Sequence, residues 1–249
     1  MVTLWNLASL TPKGEFEGAE DTIFSCAMDL DGSWIAGGTG QNDCRCLVWS
    51  AVTKQVLHEL PHNGSVRSVL FEPNGCCLWT GSLDKRVRLF DCRTGACEIS
   101  ITGHRAGVHC IQLVPEHFLL GSSSGRPENV VRVFDVRKVG KQHSGLDYKL
   151  ADADTLLKLE GHRSAVSSFA MDSVKVVSGS YDSSVRGWAL KSRGCHPAGS
   201  PLFCFEEASA EAAVQAVAVA GSSLFAGFEL RQEPFGLIVS RDFSNINNS

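Results

Sequence analysis

The 249-residue chain contains no run approaching the ~18 consecutive apolar residues that a membrane helix needs, which excludes a helical span from the reading. Met1–Leu10 lack a basic start followed by a long apolar stretch, so no secretory leader is expected. Charge of one sign is also missing. A formal net charge of −4 and a pI near 6.1 supply no attraction for nucleic acid or an anionic membrane. No zinc-finger or RNA-recognition motif is present. The Gly121-Ser122-Ser123-Ser124-Gly125 run is not followed by Gly-Lys-Ser/Thr, so it reads as a long turn rather than a phosphate cradle. Ten cysteines make up about 4% of the chain, too few for a disulfide scaffold. The closest, Cys44-Arg45-Cys46 and Cys76-Cys77, do not repeat zinc-ligand spacing. Cys26, Cys46, Cys77 and Cys110 sit in apolar runs and read as small core residues. No metal, cofactor or disulfide is expected, and the setting is read as intracellular, in cytoplasm or nucleus.

With 43% hydrophobic and 20% charged residues the chain can build a sizeable core. Convincing amphipathic helical periods are absent, however. The Ala-rich stretch from Glu206 to Val219 invites a helix, yet Val214-Gln215-Ala216-Val217-Ala218-Val219 occupies a first-strand position of a repeat and is read as strand.

That repeat organises the sequence. A Gly-His or its substitute leads into a strand, then a second strand ending in small residues, an acidic turn, and a third strand closing on an aromatic. One copy runs from Pro61-His62 through Val66–Phe71, Leu78–Asp84 and Val87–Asp91; another from Gly161-His162 through Val166–Phe169, Val176–Asp182 and Val185–Trp188. Less regular copies begin near Gly18-Ala19 and at Gly103-His104. The closing aromatics stand at 5, 49, 90, 134 and 188, separations of 44, 41, 44 and 54 residues. Turn pairs Asp31-Gly32 and Asn74-Gly75 fall between strands. A period of ~40–45 with four short strands per unit is the signature of propeller blades, each needing neighbours to bury its faces.

The pattern resembles the WD40 repeat family across nearly the whole chain. The resemblance implies an all-β WD40 β-propeller with about five and a half recognisable blades, either an incomplete seven-bladed or an irregular six-bladed ring. Its parts would be a half blade at 1–17, blades at 18–60, 61–102, 103–160 and 161–206, a degenerate blade at 207–240 and a tail at 241–249, all one region. It also implies a hydrogen-bonded network tying the Gly-His loop to the inner strands. His162, Ser178, Asp182 and Trp188 match it completely. His62, Thr80, Asp84 and Phe90 match it without an indole N–H. Gly37 and Gly121 replace the hydroxyl residue in the other two blades. His162, Ser178 and Asp182 are also the ingredients of a nucleophilic triad, but similar types recur in register, which one active site would not need. No catalytic residue is assigned.

Leu78–Arg93 further resembles a sixteen-residue box of WD40 substrate receptors of cullin-RING ubiquitin ligases. Its diagnostic ending is aromatic-Asp-x-Arg, here Phe90-Asp91-Cys92-Arg93; Trp79 departs from the usual aliphatic or Phe. Phe134-Asp135-Val136-Arg137 repeats the ending after a longer turn. The resemblance implies adaptor contacts through Asp91, Arg93, Asp135 and Arg137. The alternative is a generic interaction propeller whose arginines serve solubility or a local Asp. Arg67, Arg86, Arg88, Arg132 and Arg186 read as outward charges that solvate strands. Two insertions, 138–154 with His143 and 191–201 with Cys195-His196-Pro197, are loops that hold specificity or simple length variation. The expected function is a non-catalytic scaffold for protein partners, with no membrane or nucleic-acid partner; a propeller enzyme would need a polar cluster that the sequence does not show.

Overall fold

The computed structural model describes residues 1–138, 147–149, 155–190, 198–206, 212–220, 223–230 and 237–242. Among these, no helix is long and apolar enough to cross a membrane. The chain divides into two compact units, residues 1–111 with 137–150, and residues 112–136 with 151–249.

The first unit opens with a two-stranded antiparallel sheet, β1 (Val2–Asn6) and β2 (Thr11–Phe16), with Val2 opposite Phe16. Two antiparallel blades follow in sequential order. One holds β3 (Ile23–Met28), β4 (Trp34–Thr39), β5 (Arg45–Ser50) and β6 (Val56–Pro61); the next holds β7 (Val66–Phe71), β8 (Cys77–Ser82), β9 (Val87–Asp91) and β10 (Cys97–Thr102). β11 (Val108–Val114) begins a third sheet, whose further strands β12 (Leu119–Ser124) and β13 (Val131–Asp135) belong to the second unit. From the insertion that follows, β14 (Asp147–Lys149) adds to β10 in parallel, as a fifth strand of the second blade. Nothing in the sequence singled out this pairing. β15 (Leu157–Leu159) closes the third blade.

In the second unit, β16 (Val166–Met171), β17 (Lys175–Ser180), β18 (Ser184–Ala189) and β19 (Pro201–Glu206) form the fourth blade. A last sheet has three described strands, β20 (Ala212–Ala220), β21 (Ser223–Leu230) and β22 (Leu237–Asp242). The Val214–Val219 segment is thus strand. Residues 139–146, 150–154 and 191–197, which hold most of both insertions with His143, Cys195, His196 and Pro197, lie outside the described residues, as does most of the tail.

Burial explains why these residues become these strands. In each full blade the second strand is buried at every position but its first, and β9 and β13 are buried throughout. Such strands need near-continuous apolar or small residues. The fourth strand alternates, as β6 does, because one face meets water. Fully burying side chains such as Trp49, Trp79, Phe134 and Phe169 contributes roughly 1.5–3 kcal/mol each.

Three expectations change here. Gly121–Ser124 is not a turn but most of β12, and it is buried. A Cβ at Gly121 would sit 2.7 Å from the Phe169 ring, so the small residues are dictated by the packing of the next blade. Arg88 and Arg132 do not solvate the sheet; they are 8% and 3% exposed and paired with Asp84 and Glu128. Cys46 is a core residue, whereas Cys77 and Cys110 are half-buried and Cys26 is exposed, on the outward face of β3, where half-buried and exposed positions alternate.

Two contacts recur between successive blades. A Cβ at Gly81 would lie 2.9 Å from Val108 of the next first strand, and Gly38 and Gly179 meet Val66 and Val214 in the same way. The first strands β3, β7 and β16 each have a register shift, a bulge beside one serine that meets the neighbouring blade. Ser25, Ser68 and Ser168 accept the N–H of Val69, Ile111 and Val217 at 3.1, 3.2 and 3.2 Å.

Candidate functional site

The fourth-blade residues form one connected network. Trp188 Nε1–H donates to Ser178 Oγ at 2.9 Å, and Ser178 Oγ lies 2.8 Å from His162 Nε2. His162 Nδ1 lies 3.2 Å from Asp182. A carboxylate accepts, so Nδ1 holds the proton and Ser178 donates to Nε2. Asp182 also accepts Ser184 Oγ at 2.5 Å and the Arg163 N–H at 2.7 Å. Burial opposes its ionisation, but the hydrogen bonds from His162, Ser184 and Arg163 prevail and hold its carboxyl below the usual range. Ser178 is fully buried and its hydroxyl is engaged on both sides, so the three do not present a nucleophile to a substrate.

The second-blade residues divide into two groups. His62 Nε2 meets Thr80 Oγ1 at 2.9 Å, but its Nδ1 donates to the Leu60 carbonyl at 2.9 Å instead of reaching Asp84. The Phe90 ring packs at 5.6 Å between centroids from His62. Asp84 accepts the Asn63 N–H at 3.1 Å and pairs with Arg88 at 2.8 Å. Burial and then the Arg88 charge lower the His62 pKa to about 4, so the ring is neutral.

In the first blade, Trp49 Nε1–H donates to the Glu17 carbonyl at 2.7 Å, and its ring fills the space a side chain at Gly37 would need. Asp43 replaces the missing acid: the Glu20 N–H donates to it at 3.0 Å, as Asn63 and Arg163 do to Asp84 and Asp182. The sequence reading missed Asp43 because the turn before β5 is longer.

The ends of the third strands form a second, exposed set. Asp91 is buried, while the Arg93 side chain is 68% exposed. Asp91 accepts the Arg93 N–H at 2.7 Å and the Arg93 Nη2 at 2.9 Å, which drops its pKa to about 2. This is an Asx-type turn. Asn6 and Ser50 hold the corresponding place in the half blade and first blade, accepting the Ala8 and Thr53 N–H groups. Asp135 is likewise buried and Arg137 exposed. Counting from the closing aromatic, Ala8, Val52, Arg93 and Arg137 share one position. The turn after the first strand lies alongside: the N–H groups of Ala51, Cys92, Val136 and Leu190 donate to the carbonyls of Ser33, Cys76, Phe118 and Val174 at 2.8–2.9 Å. Trp79, the departure from the sixteen-residue box, is buried and donates its indole N–H to Glu72 of that turn at 2.9 Å. Among the described residues, no cluster of three His, Cys, Asp or Glu could hold a metal ion.

Four-stranded antiparallel sheets repeated in register, stapled through a His, a hydroxyl residue, an acid and an aromatic, define an all-β propeller-type repeat protein. The WD40 sequence profile (WD domain, G-beta repeat) matches residues 10–50, 54–91 and 153–189, so these three segments are similar to WD40 repeats. It is 22% identical over 223 residues to a periodic tryptophan protein 2 homolog of Caenorhabditis elegans, covering 76% of this chain and 24% of that protein. It is 28% identical over 187 residues to a guanine nucleotide-binding protein subunit beta of Zea mays, covering 70% and 46%. The solved structure of U3-55K superposes with a TM-score of 0.72 at 18% identity over 90% of this chain and 67% of that one, a likeness of fold. The chain therefore spans only part of the curated relatives it matches.

Proposed function

We propose that the chain is a non-catalytic protein-interaction scaffold that docks a partner through the turns closing its third strands. The observation that supports this most directly is the construction of the Arg93 turn. A buried carboxylate fixes the backbone and one edge of a guanidinium whose side chain is 68% exposed. A preset, exposed arginine is suited to a carboxylate of a partner, since a bidentate guanidinium contact combines charge with direction. Arg137 repeats the residue type at the corresponding position, beside buried Asp135.

The finer form of this reading is a substrate receptor of a cullin-RING ubiquitin ligase, with Asp91, Arg93, Asp135 and Arg137 at the adaptor and the substrate bound elsewhere. The resemblance of Leu78–Arg93 to the receptor box supports it. The setting would be cytoplasmic or nuclear. Affinity purification of wild type beside an Arg93→Ala, Arg137→Ala double variant tests both levels. Recovery of a cullin adaptor with wild type and its loss from the variant is the expected result. Absence of an adaptor from the wild-type sample removes the receptor reading, and equal recovery by both proteins removes the arginine contact.

A further inference from the structure

The turns on either side of this arginine set differ in character. Leu10, Leu30 and Val52 are 75%, 78% and 84% exposed, in the half blade and the first blade. The matching places in the second blade hold Gly95, Pro73 and Arg93. Leu30 and Val52 belong to turns tied together by the Ala51-to-Ser33 hydrogen bond, and a groove of about 510 Å³ lined by Pro12, Lys13, Gly14, Glu15, Glu17 and Lys54 joins the first blade's turn to β2. Leu10 stands two residues before that groove and Val52 two residues before Lys54. The first and second blades also touch on this side, where Gly95 packs on His58 and Gly75 faces Asp29.

Leu10 is unusual in a second way. Its φ is +54°, the left-handed turn position that Lys54 and Gly95 hold at +61° and +72°. All three turns close with an N–H donated four residues back at 2.8 Å. Glycine suits that conformation and leucine is strained in it. A side chain that strains the backbone and remains in water contributes nothing to the isolated fold. Such outliers point toward function.

We propose that Leu10, Leu30 and Val52 form the apolar half of the docking surface whose polar half is Arg93, and that the occupant is a protein segment presenting aliphatic side chains beside a carboxylate. The charges favour protein over an anionic membrane or nucleic acid. Leu30 is flanked by Asp29 and Asp31, and the groove balances Lys13 and Lys54 with Glu15 and Glu17. Arg93, paired with Asp91 along one edge, has a side chain 68% exposed that can take a partner's carboxylate on the other. The partner's identity as a cullin adaptor rests on the reading above; the surface itself does not.

The test measures binding of the purified cullin-adaptor propeller to wild type, to Leu10→Gly alone, to the triple variant Leu10→Gly, Leu30→Ser, Val52→Ser, and to Arg93→Ala, Arg137→Ala. The triple variant is expected to bind at least tenfold more weakly. Leu10→Gly is expected to raise the melting midpoint while weakening binding, which separates docking from folding. If the triple variant binds like wild type while the arginine variant fails, the apolar surface is wrong and the receptor reading stands. If wild type does not bind the adaptor, the receptor reading fails, and a photo-cross-linking residue at Val52, with Glu98 as control site, decides the surface in cells. An adduct to another polypeptide whose cross-linked peptide has an acid beside an aliphatic residue, and which Leu30→Ser and Arg93→Ala both diminish, upholds it. No adduct above the Glu98 control, or an adduct only to a second copy of this chain, overturns it.

Discussion

The second and fourth blades place the same residue types at the same positions and connect them differently. In the fourth, one line of hydrogen bonds runs from Trp188 through Ser178 and His162 to Asp182. In the second, Phe90 has no N–H to start that line, His62 turns its Nδ1 to its own backbone, and Asp84 is left to Arg88. The matching arginine of the fourth blade, Arg186, is instead 19% exposed and faces Glu206 and Ser184. Losing one indole donor thus accompanies a change from a continuous hydrogen-bonded line to a separate buried ion pair. Repeats that align by sequence need not share an energetic design.

The comparison can be broken most severely at Asp84. Asp84→Ala strands Arg88, whose Nη1 is already unsatisfied, as a buried charge, and is expected to cost about 3–5 kcal/mol in chemical denaturation. A much smaller loss would mean that Arg88 escapes to water. Acid is the next lever. The folded His62 pKa of about 4 lies below its ordinary 6.5, so the unfolded chain binds the proton more readily. Stability present above pH 6.5 is therefore lost as the pH falls toward 4, by roughly 3 kcal/mol from this group. Melting midpoints across that window should fall less steeply in His62→Gln than in wild type. Trp188→Phe, which gives the fourth blade the aromatic of the second, removes a single hydrogen bond. Its expected cost is about 1 kcal/mol by denaturant titration. The smallest effect is Arg93→Ala, whose exposed side chain leaves the thermal midpoint unchanged while partner binding falls.

Much of this was legible in the chain. Period, turn pairs and closing aromatics pointed to repeated four-stranded sheets, since a propeller blade admits few other patterns. Candidates for the network were also readable, because residue type and spacing limit which side chains can meet. Their connections were not. Whether His62 bonds Asp84 or Leu60 depends on a ring rotation, and whether Arg88 faces water depends on a partner four residues away. The β12 run Gly121–Ser124 misled for a related reason: small residues suit turns, but they equally suit a strand pressed by Phe169. Asp43 was hidden by a longer turn, and the left-handed Leu10 gives no sign in composition.

The bulge serines have a mechanical consequence. Within a blade, strands share ladders of backbone hydrogen bonds; between blades, Ser25, Ser68 and Ser168 each supply one side-chain acceptor, backed by close glycine contacts. A load that pulls blades apart meets far fewer bonds than one that unzips a sheet. Under tension, each unit is expected to shed whole blades in discrete steps, as a stack of cards separates before any card tears.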